Sequence, residues 1–154
     1  MTTIEFVGDT CAGLLHGDSV RFHDVGSGAL KRVTVWHDEF VHAIQCAFFD
    51  EAEEDRPIRG TLLAHLRQTT LQLERGELLL AVRGRAGWYI DAVEFVTSRG
   101  RTVRTETRST GGMVFAMETT PPYCISGIGG AYGGHLHVLW VRAAPIDDVR
   151  GWFR

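Results

Sequence analysis

An all-β fold assembled from three small sheets is what this sequence predicts. Three observations carry the prediction. Short apolar runs rich in β-branched and aromatic residues alternate with glycine or charged turns, one residue pattern occurs three times, and only one brief stretch has helical spacing. The runs are, in order, Val33-Thr34-Val35-Trp36, then residues 43–49, 78–82, 92–97, 113–117 and 136–141. Each is too short for a helix and is closed by turn formers, the expected signature of a sandwich, barrel or prism. The exception, Leu62-Leu63-Ala64-His65-Leu66-Arg67, places apolar residues on one helix face and reads as a single helical turn.

The repeat is more specific than the strands. Phe40-Val41-His42-Ala43-Ile44, Tyr89-Ile90-Asp91-Ala92-Val93 and His135-Leu136-His137-Val138-Leu139 share the order ring, apolar, polar, small or branched, apolar. Their polar positions, 42, 91 and 137, stand 49 and 46 residues apart, so three units account for nearly the whole chain. Such periodicity means stacked or radially arranged units. A closed pseudo-threefold arrangement of three sheets, each turning one face to a common core and hiding its edges against its neighbours, is the economical solution.

Size and charge bound the rest. A chain of 154 residues fits one domain and buries about 68–70% of its unfolded surface, enough to fold without disulfide or metal. The expected division is a domain over residues 1–144 and a tail over 145–154, whose Trp152 and Phe153 dock on that domain or on a partner. A net charge of −3 argues against nucleic acid as a partner. Cys11, Cys46 and Cys124, an odd number without a C-x-x-C pair, read as buried thiols. The acidic run at 50–55 reads as a solvated loop rather than a metal cluster. The sequence has neither a secretory signal pattern nor a membrane span, so the expected location is cytoplasmic, with non-classical export as the other route. Nucleophile-elbow and phosphate-loop motifs are absent. The run Gly127-Ile128-Gly129-Gly130-Ala131-Tyr132 fails the dinucleotide pattern at its last position, and its glycines read as sites of close backbone approach.

From Leu73 to Val141 the chain resembles the jacalin-related lectins. The resemblance is carried by Leu73-Glu74-Arg75-Gly76-Glu77, by the stretch from Val82 through Gly87-Trp88-Tyr89-Ile90-Asp91 to Arg101, by Thr110-Gly111-Gly112-Met113-Val114-Phe115, and by Ile125 through Gly133-Gly134-His135-Leu136. Residues 31–49 fit the first repeat, and the first 30 residues fit loosely. The resemblance implies a β-prism I of three four-stranded Greek-key sheets with pseudo-threefold symmetry. It implies a non-catalytic carbohydrate-binding protein with no cofactor and no obligatory metal. In that family a sugar sits between a Gly-x-x-x-Asp loop and a glycine-rich loop, where a carboxylate accepts from adjacent hydroxyls and backbone N–H groups donate.

Carried onto this chain, Gly87-Trp88-Tyr89-Ile90-Asp91 supplies the first loop and Ser109-Thr110-Gly111-Gly112 the second. Asp91 is the hydroxyl acceptor, Gly111 and Gly112 are the donors, and Tyr89 or Trp88 is the apolar wall. Strand alternation would put Asp91 and Tyr89 on one face and Trp88 and Ile90 on the other. The other reading of Asp91 is a carboxylate capping backbone N–H groups at a turn. In the third repeat, Gly133, Gly134 and His135 lead to His137 where the family has its aspartate, and the partner loop at His16-Gly17-Asp18 has lost a glycine. In the first repeat, His42 holds that position and the partner region 61–65 carries leucines. These read as degraded sites, because a neutral imidazole offers one acceptor where a carboxylate offers about four. His135, His137 and His16 could be drawn into a metal site or a pH-sensitive one, but surface histidines are the commoner outcome and no metal is expected. One site per chain makes a homo-oligomer the expected route to avidity. The other reading of the whole is a β-prism that has lost sugar binding and serves as an interaction or oligomerisation module; a third is a lectin-like domain that targets a separate toxin or enzyme subunit.

Overall fold

In the computed structural model, residues 6–8, 11–26, 29–49, 56–107 and 110–150 are described, with the backbone alone for residues 6–8 and for Arg150. The acidic residues 50–55, Ser109, and Trp152 and Phe153 lie outside the described residues. Along the chain run β1 (Phe6–Gly8), β2 (Cys11–Gly13), β3 (Val20–Val25), β4 (Leu30–His37), β5 (Val41–Phe48), β6 (Arg59–Gly60) and β7 (Arg67–Gln72). They are followed by β8 (Leu79–Ala86), β9 (Ile90–Thr97), β10 (Thr102–Arg104), β11 (Met113–Thr119), β12 (Tyr123–Tyr132), β13 (Leu136–Pro145) and the helix α1 (Ile146–Arg150).

All pairings are antiparallel and fall into three four-stranded sets. These are β6-β5-β4-β7, β10-β9-β8-β11 and β2-β13-β12-β3. The short β1 extends the second set beyond β11, and one pairing, Ile125 with Leu79, joins the second set to the third. Of the N-terminal residues that resemble the family only loosely, β2 and β3 are the outer strands that complete the third sheet, far along the chain from its central hairpin.

The repeat seen in the sequence is this central hairpin. β4–β5, β8–β9 and β12–β13 carry register shifts at Trp36/His37, Arg85/Ala86 and Ala131/Tyr132, and again at Leu30/Arg32, Leu79/Ala81 and Ile125/Gly127. Those positions repeat at the same 49- and 46-residue offsets as the polar residues. The connecting bends match as well, because the backbone N–H of Asp38, Gly87 and Gly133 donates to the carbonyl of Phe40, Tyr89 and His135, at 3.0, 2.9 and 3.0 Å. Bulges increase twist and re-aim side chains, so the shared bulges point all three hairpin ends the same way.

The inward faces of the hairpins form the core. Val33, Val35, Ile44, Val82, Phe95, Ile128 and Leu139 are among its fully buried members. Gly127, Gly129 and Gly130 lie within β12, where an added Cβ would strike Val25, Trp140 and the Val138 carbonyl respectively, so they serve close approach as expected. A second small cluster of Ala29, Leu78, Cys124 and Val149 anchors α1, whose Ile146 N–H donates to the Pro122 carbonyl at 2.7 Å.

Two expectations need correction. Residues 62–67 form no helical turn: the chain turns at 64–65 and enters β7 at Arg67, because the segment is a link between two strands of one sheet. Cys11 is exposed, unlike Cys46 and Cys124, because β2 is an edge strand that turns Ala12 inward and Cys11 outward.

Candidate functional site

The three hairpin ends gather at one end of the molecule. Their ring positions, Phe40, Tyr89 and His135, meet there: Tyr89 stacks on His135 with centroids 4.3 Å apart, and Phe40 stands edge-on to Tyr89 at 5.7 Å and to His135 at 5.4 Å. His16, from the loop between β2 and β3, stacks on Tyr89 at 5.5 Å, and His137 lies tilted to it at 5.5 Å, so the phenol ring lies among four ring neighbours. Rings held in this way lose little further freedom when a ligand covers them.

Beside this cluster the second repeat opens a cavity of about 410 Å³, lined by Phe40, Gly87, Trp88, Tyr89, Asp91, Gly111 and Gly112. Asp91 is only 5% exposed. Among the described residues its carboxylate accepts no hydrogen bond. Burial pushes its pKa upward, against which the Arg85 cation acts in the opposite direction. A buried carboxylate without a donor is costly, so this one is poised for donors that a ligand brings. The turn-capping reading of Asp91 has no hydrogen bond to support it among the described residues.

Arg85 shapes the opposite wall. Its guanidinium donates to the carbonyls of Thr110 (2.9 Å), Gly111 (3.0 Å) and Gly112 (3.2 Å). Those carbonyls are thereby turned to the guanidinium as acceptors. Gly112 adopts φ +75°, and a Cβ there would collide with Asp91 Oδ2 and the Ala86 backbone. The glycine is needed both for the left-handed turn and for the close passage of the carboxylate.

The equivalent ends of the other repeats are filled from within. In the first, His42 Nδ1 donates to the Gly134 carbonyl (3.0 Å) and Nε2 to Asp38 Oδ1 (2.8 Å), while His65 Nε2 bonds Asp38 Oδ2 (2.9 Å). Both nitrogens of His42 are thus engaged within the protein. Burial alone would raise the Asp38 pKa, but the Phe40 N–H and the His65 and His42 rings outweigh it and hold the carboxyl well below the usual range. In the third, His137 Nδ1 is hydrogen-bonded to Ser19 Oγ (2.7 Å), and its ring lies 4.2 Å from that of His16. His16 Nε2 donates to the Trp88 carbonyl (2.8 Å), so the third repeat's loop buttresses the second repeat's site. His135 and His137 both have lowered pKa values, first through burial and then through the neighbouring imidazoles of His42 and His16 respectively, beside which a second charge is disfavoured.

Of the residues the sequence nominated, Gly87, Trp88, Tyr89, Asp91, Gly111 and Gly112 line one cavity. Ile90 does not: it is fully buried in the core, where its truncation would cost folding, about 2–5 kcal/mol, rather than binding. Trp88 and Ile90 therefore do not share a face, because strand alternation begins only at Ile90 and Trp88 sits in the bend at 72% exposure. Gly17, Asp18, Gly133, Gly134, His135 and His137 are brought to the adjoining third end, and the loop at 61–65 to the first, where Thr61 Oγ1 donates to the Gly133 carbonyl (3.0 Å). Among the described residues no three His, Cys, Asp or Glu side chains are arranged to hold a metal ion. Sequence reasoning missed Phe40 and Arg85. Phe40 was legible as the ring position of the first repeat, but Arg85 carries no signal until the register places it beside the loop.

The comparisons agree with this architecture. The family model for the jacalin-like lectin domain matches residues 11–141. Among solved structures, a mannose-binding lectin from champedak superposes with TM-score 0.72 at 20% identity, covering 94% of this chain and 99% of its own. Malaysian banana lectin gives 0.72 at 18% identity, with 91% and 99% covered. A prostate-specific WGA16 glycoprotein lectin gives 0.73 at 14% identity, with 87% and 97% covered. No curated protein matches the chain at a comparable level. With the family model spanning most of the chain and the fold in accord, the protein belongs to the jacalin-like lectin domain family, whose members are non-catalytic and bind carbohydrate.

Proposed function

We propose that this protein binds carbohydrate at a single site per chain, in the cavity of the second repeat. The observation that carries the reading is Asp91: a carboxylate buried at the back of a cavity, without a hydrogen-bond donor among the described residues, and opposite a loop whose carbonyls Arg85 has engaged. Two adjacent sugar hydroxyls would donate to Asp91, the backbone N–H groups of Gly111 and Gly112 would donate to ring or exocyclic oxygens, and Tyr89, Trp88 and Phe40 would face the apolar C–H surface of the sugar. A volume near 410 Å³ lies at the small end of ligand sites, about 300–1,000 Å³, and suits one or two sugar residues. Mannose-type sugars are the first class to try, supported by the mannose-binding lectins of champedak and Ananas comosus that share the fold. A shallow site of this kind should have a Kd on the order of 0.1–1 mM, about 4–5.5 kcal/mol, so self-assembly would supply avidity.

The test is a glycan array probed with the wild type and with Asp91→Ala, after circular dichroism shows that both are folded alike. Binding that disappears in Asp91→Ala supports the assignment. Binding that persists moves the site to the histidine ends, and no binding by the wild type favours a β-prism that acts as an interaction module.

A further inference from the structure

We propose that the cavity-bearing end of the prism docks on a lipid bilayer whose surface displays the sugar, so that the ligand is the headgroup of a membrane glycolipid. This inference rests on the sugar site assigned above. Its basis is the distribution of apolar side chains around that site. Nine large apolar side chains are exposed among the described residues, and six of them, Leu14, Leu15, Leu62, Leu63, Trp88 and Met113, stand on loops or a strand start at this one end. They come from all three sheets. Leu14 and Leu15 precede His16, which bonds the Trp88 carbonyl. Leu62 and Leu63 lie between Thr61, bonded to Gly133, and His65, bonded to Asp38. Trp88 and Met113 flank the cavity itself.

The part of the apolar rim formed by Leu14, Trp88 and Met113 adjoins the sugar site. A second depression of about 390 Å³, lined by Gly13, Leu14, Ala86, Gly87, Trp88 and Met113, shares Gly87 and Trp88 with the first. A ligand that spans both depressions would carry its sugar beside an apolar group. A glycan on a protein surface holds its terminal sugar in water, whereas a glycolipid headgroup lies against the acyl boundary. Leucine and tryptophan on projecting loops suit the interfacial layer of a bilayer, and exposed apolar patches of this kind mark interaction sites. The nearby charges, Asp18, Asp38, Glu39, Arg67 and Arg85, are mixed in sign, so anionic lipid is not required.

The experiment uses the full chain, vesicles of phosphatidylcholine with and without a mannosyl glycolipid, and soluble methyl α-mannoside. The informative variant is Leu62→Ser/Leu63→Ser, which lies on the first-repeat loop and outside both depressions. The expected result is co-sedimentation with the glycolipid vesicles that persists at high salt. In the variant it should fall about tenfold while methyl α-mannoside binding is unchanged. Equal retention of wild type and variant on those vesicles would overturn the proposal, as would a wild-type dimer in analytical ultracentrifugation that the variant dissolves, since a second copy would then cover the face. Absence of methyl α-mannoside and glycan-array binding by the wild type would instead remove the sugar site on which the proposal rests.

Discussion

The second hairpin end and its two counterparts share bulges, bend and inter-strand register, yet they differ in what becomes of the polar residue that follows the bend. At the second end Asp91 faces a cavity with its acceptor capacity unspent among the described residues. At the first and third ends His42 and His137 occupy the same place: Asp38 and Gly134 take both nitrogens of His42, and Ser19 takes Nδ1 of His137. The backbone therefore supplies three potential sites, and side-chain satisfaction decides which of them can receive a ligand. An internal partner converts a recognition position into a structural one, since a hydrogen bond already made inside the protein must be broken before a ligand can use the group. The ring positions show the converse: Phe40, Tyr89 and His135 come from three equivalent places but all serve one cluster, so the unoccupied end borrows its walls from the occupied ones.

The largest expected effect on this contrast comes from closing the one open end. Gly112→Ala places a Cβ against Asp91 and forces a left-handed φ on a residue that resists it. Sugar binding should fall at least about a hundredfold, about 3 kcal/mol, by titration calorimetry. A change of less than threefold would show that the loop does not hold the donors.

Next in size, Asp38→Ala should destabilise the first end by about 2–3 kcal/mol in urea unfolding, because two imidazoles and the Phe40 N–H lose their acceptor at once. Sugar affinity should stay within about twofold. Unchanged stability would mean that the histidine network is incidental.

The smallest effect is on pH dependence. His37, His135 and His137 have folded-state pKa values below the ordinary 6.5, with burial the leading cause for each. The unfolded chain therefore takes up protons first as the pH falls. Stability should be full above about pH 6.5, decline below it, and level off once the folded rings are protonated too. Asp38 adds a second decline below about 3.8, where its favourable contacts are lost. Urea midpoints across this range test the first window, and a midpoint that rises as the pH drops below 6.5 would contradict it.

Much of this architecture was legible because its signal is periodic. The 49- and 46-residue offsets located three hairpins, and those offsets reappear in the bulges and bends. The cavity residues were legible for a different reason: the resemblance to the jacalin-related lectins carries that family's Gly-x-x-x-Asp and glycine-rich loops onto residues 87–91 and 109–112. What escaped was set by tertiary register. Arg85 sits on a strand whose neighbours give no hint of a loop to grip. Short outer strands such as β6 and β10 have two or three residues each, too few to show a pattern. Ile90 was drawn into the site by adjacency in sequence, while the core claimed its side chain. Nothing local in β2 and β3 assigns them to the third sheet, and only the resemblance, which pairs His16-Gly17-Asp18 with the third repeat, links them to it.

The most direct measurement is the stoichiometry and residue dependence of binding in solution: titration calorimetry of methyl α-mannoside, or of the best array sugar, into wild type and Asp91→Ala. The account predicts one site per chain in the wild type and none in Asp91→Ala, with both proteins unfolding at the same urea concentration. Two or three sites per chain, or one that survives in Asp91→Ala, would show that the histidine ends bind sugar as well and would contradict the distinction between spent and unspent positions.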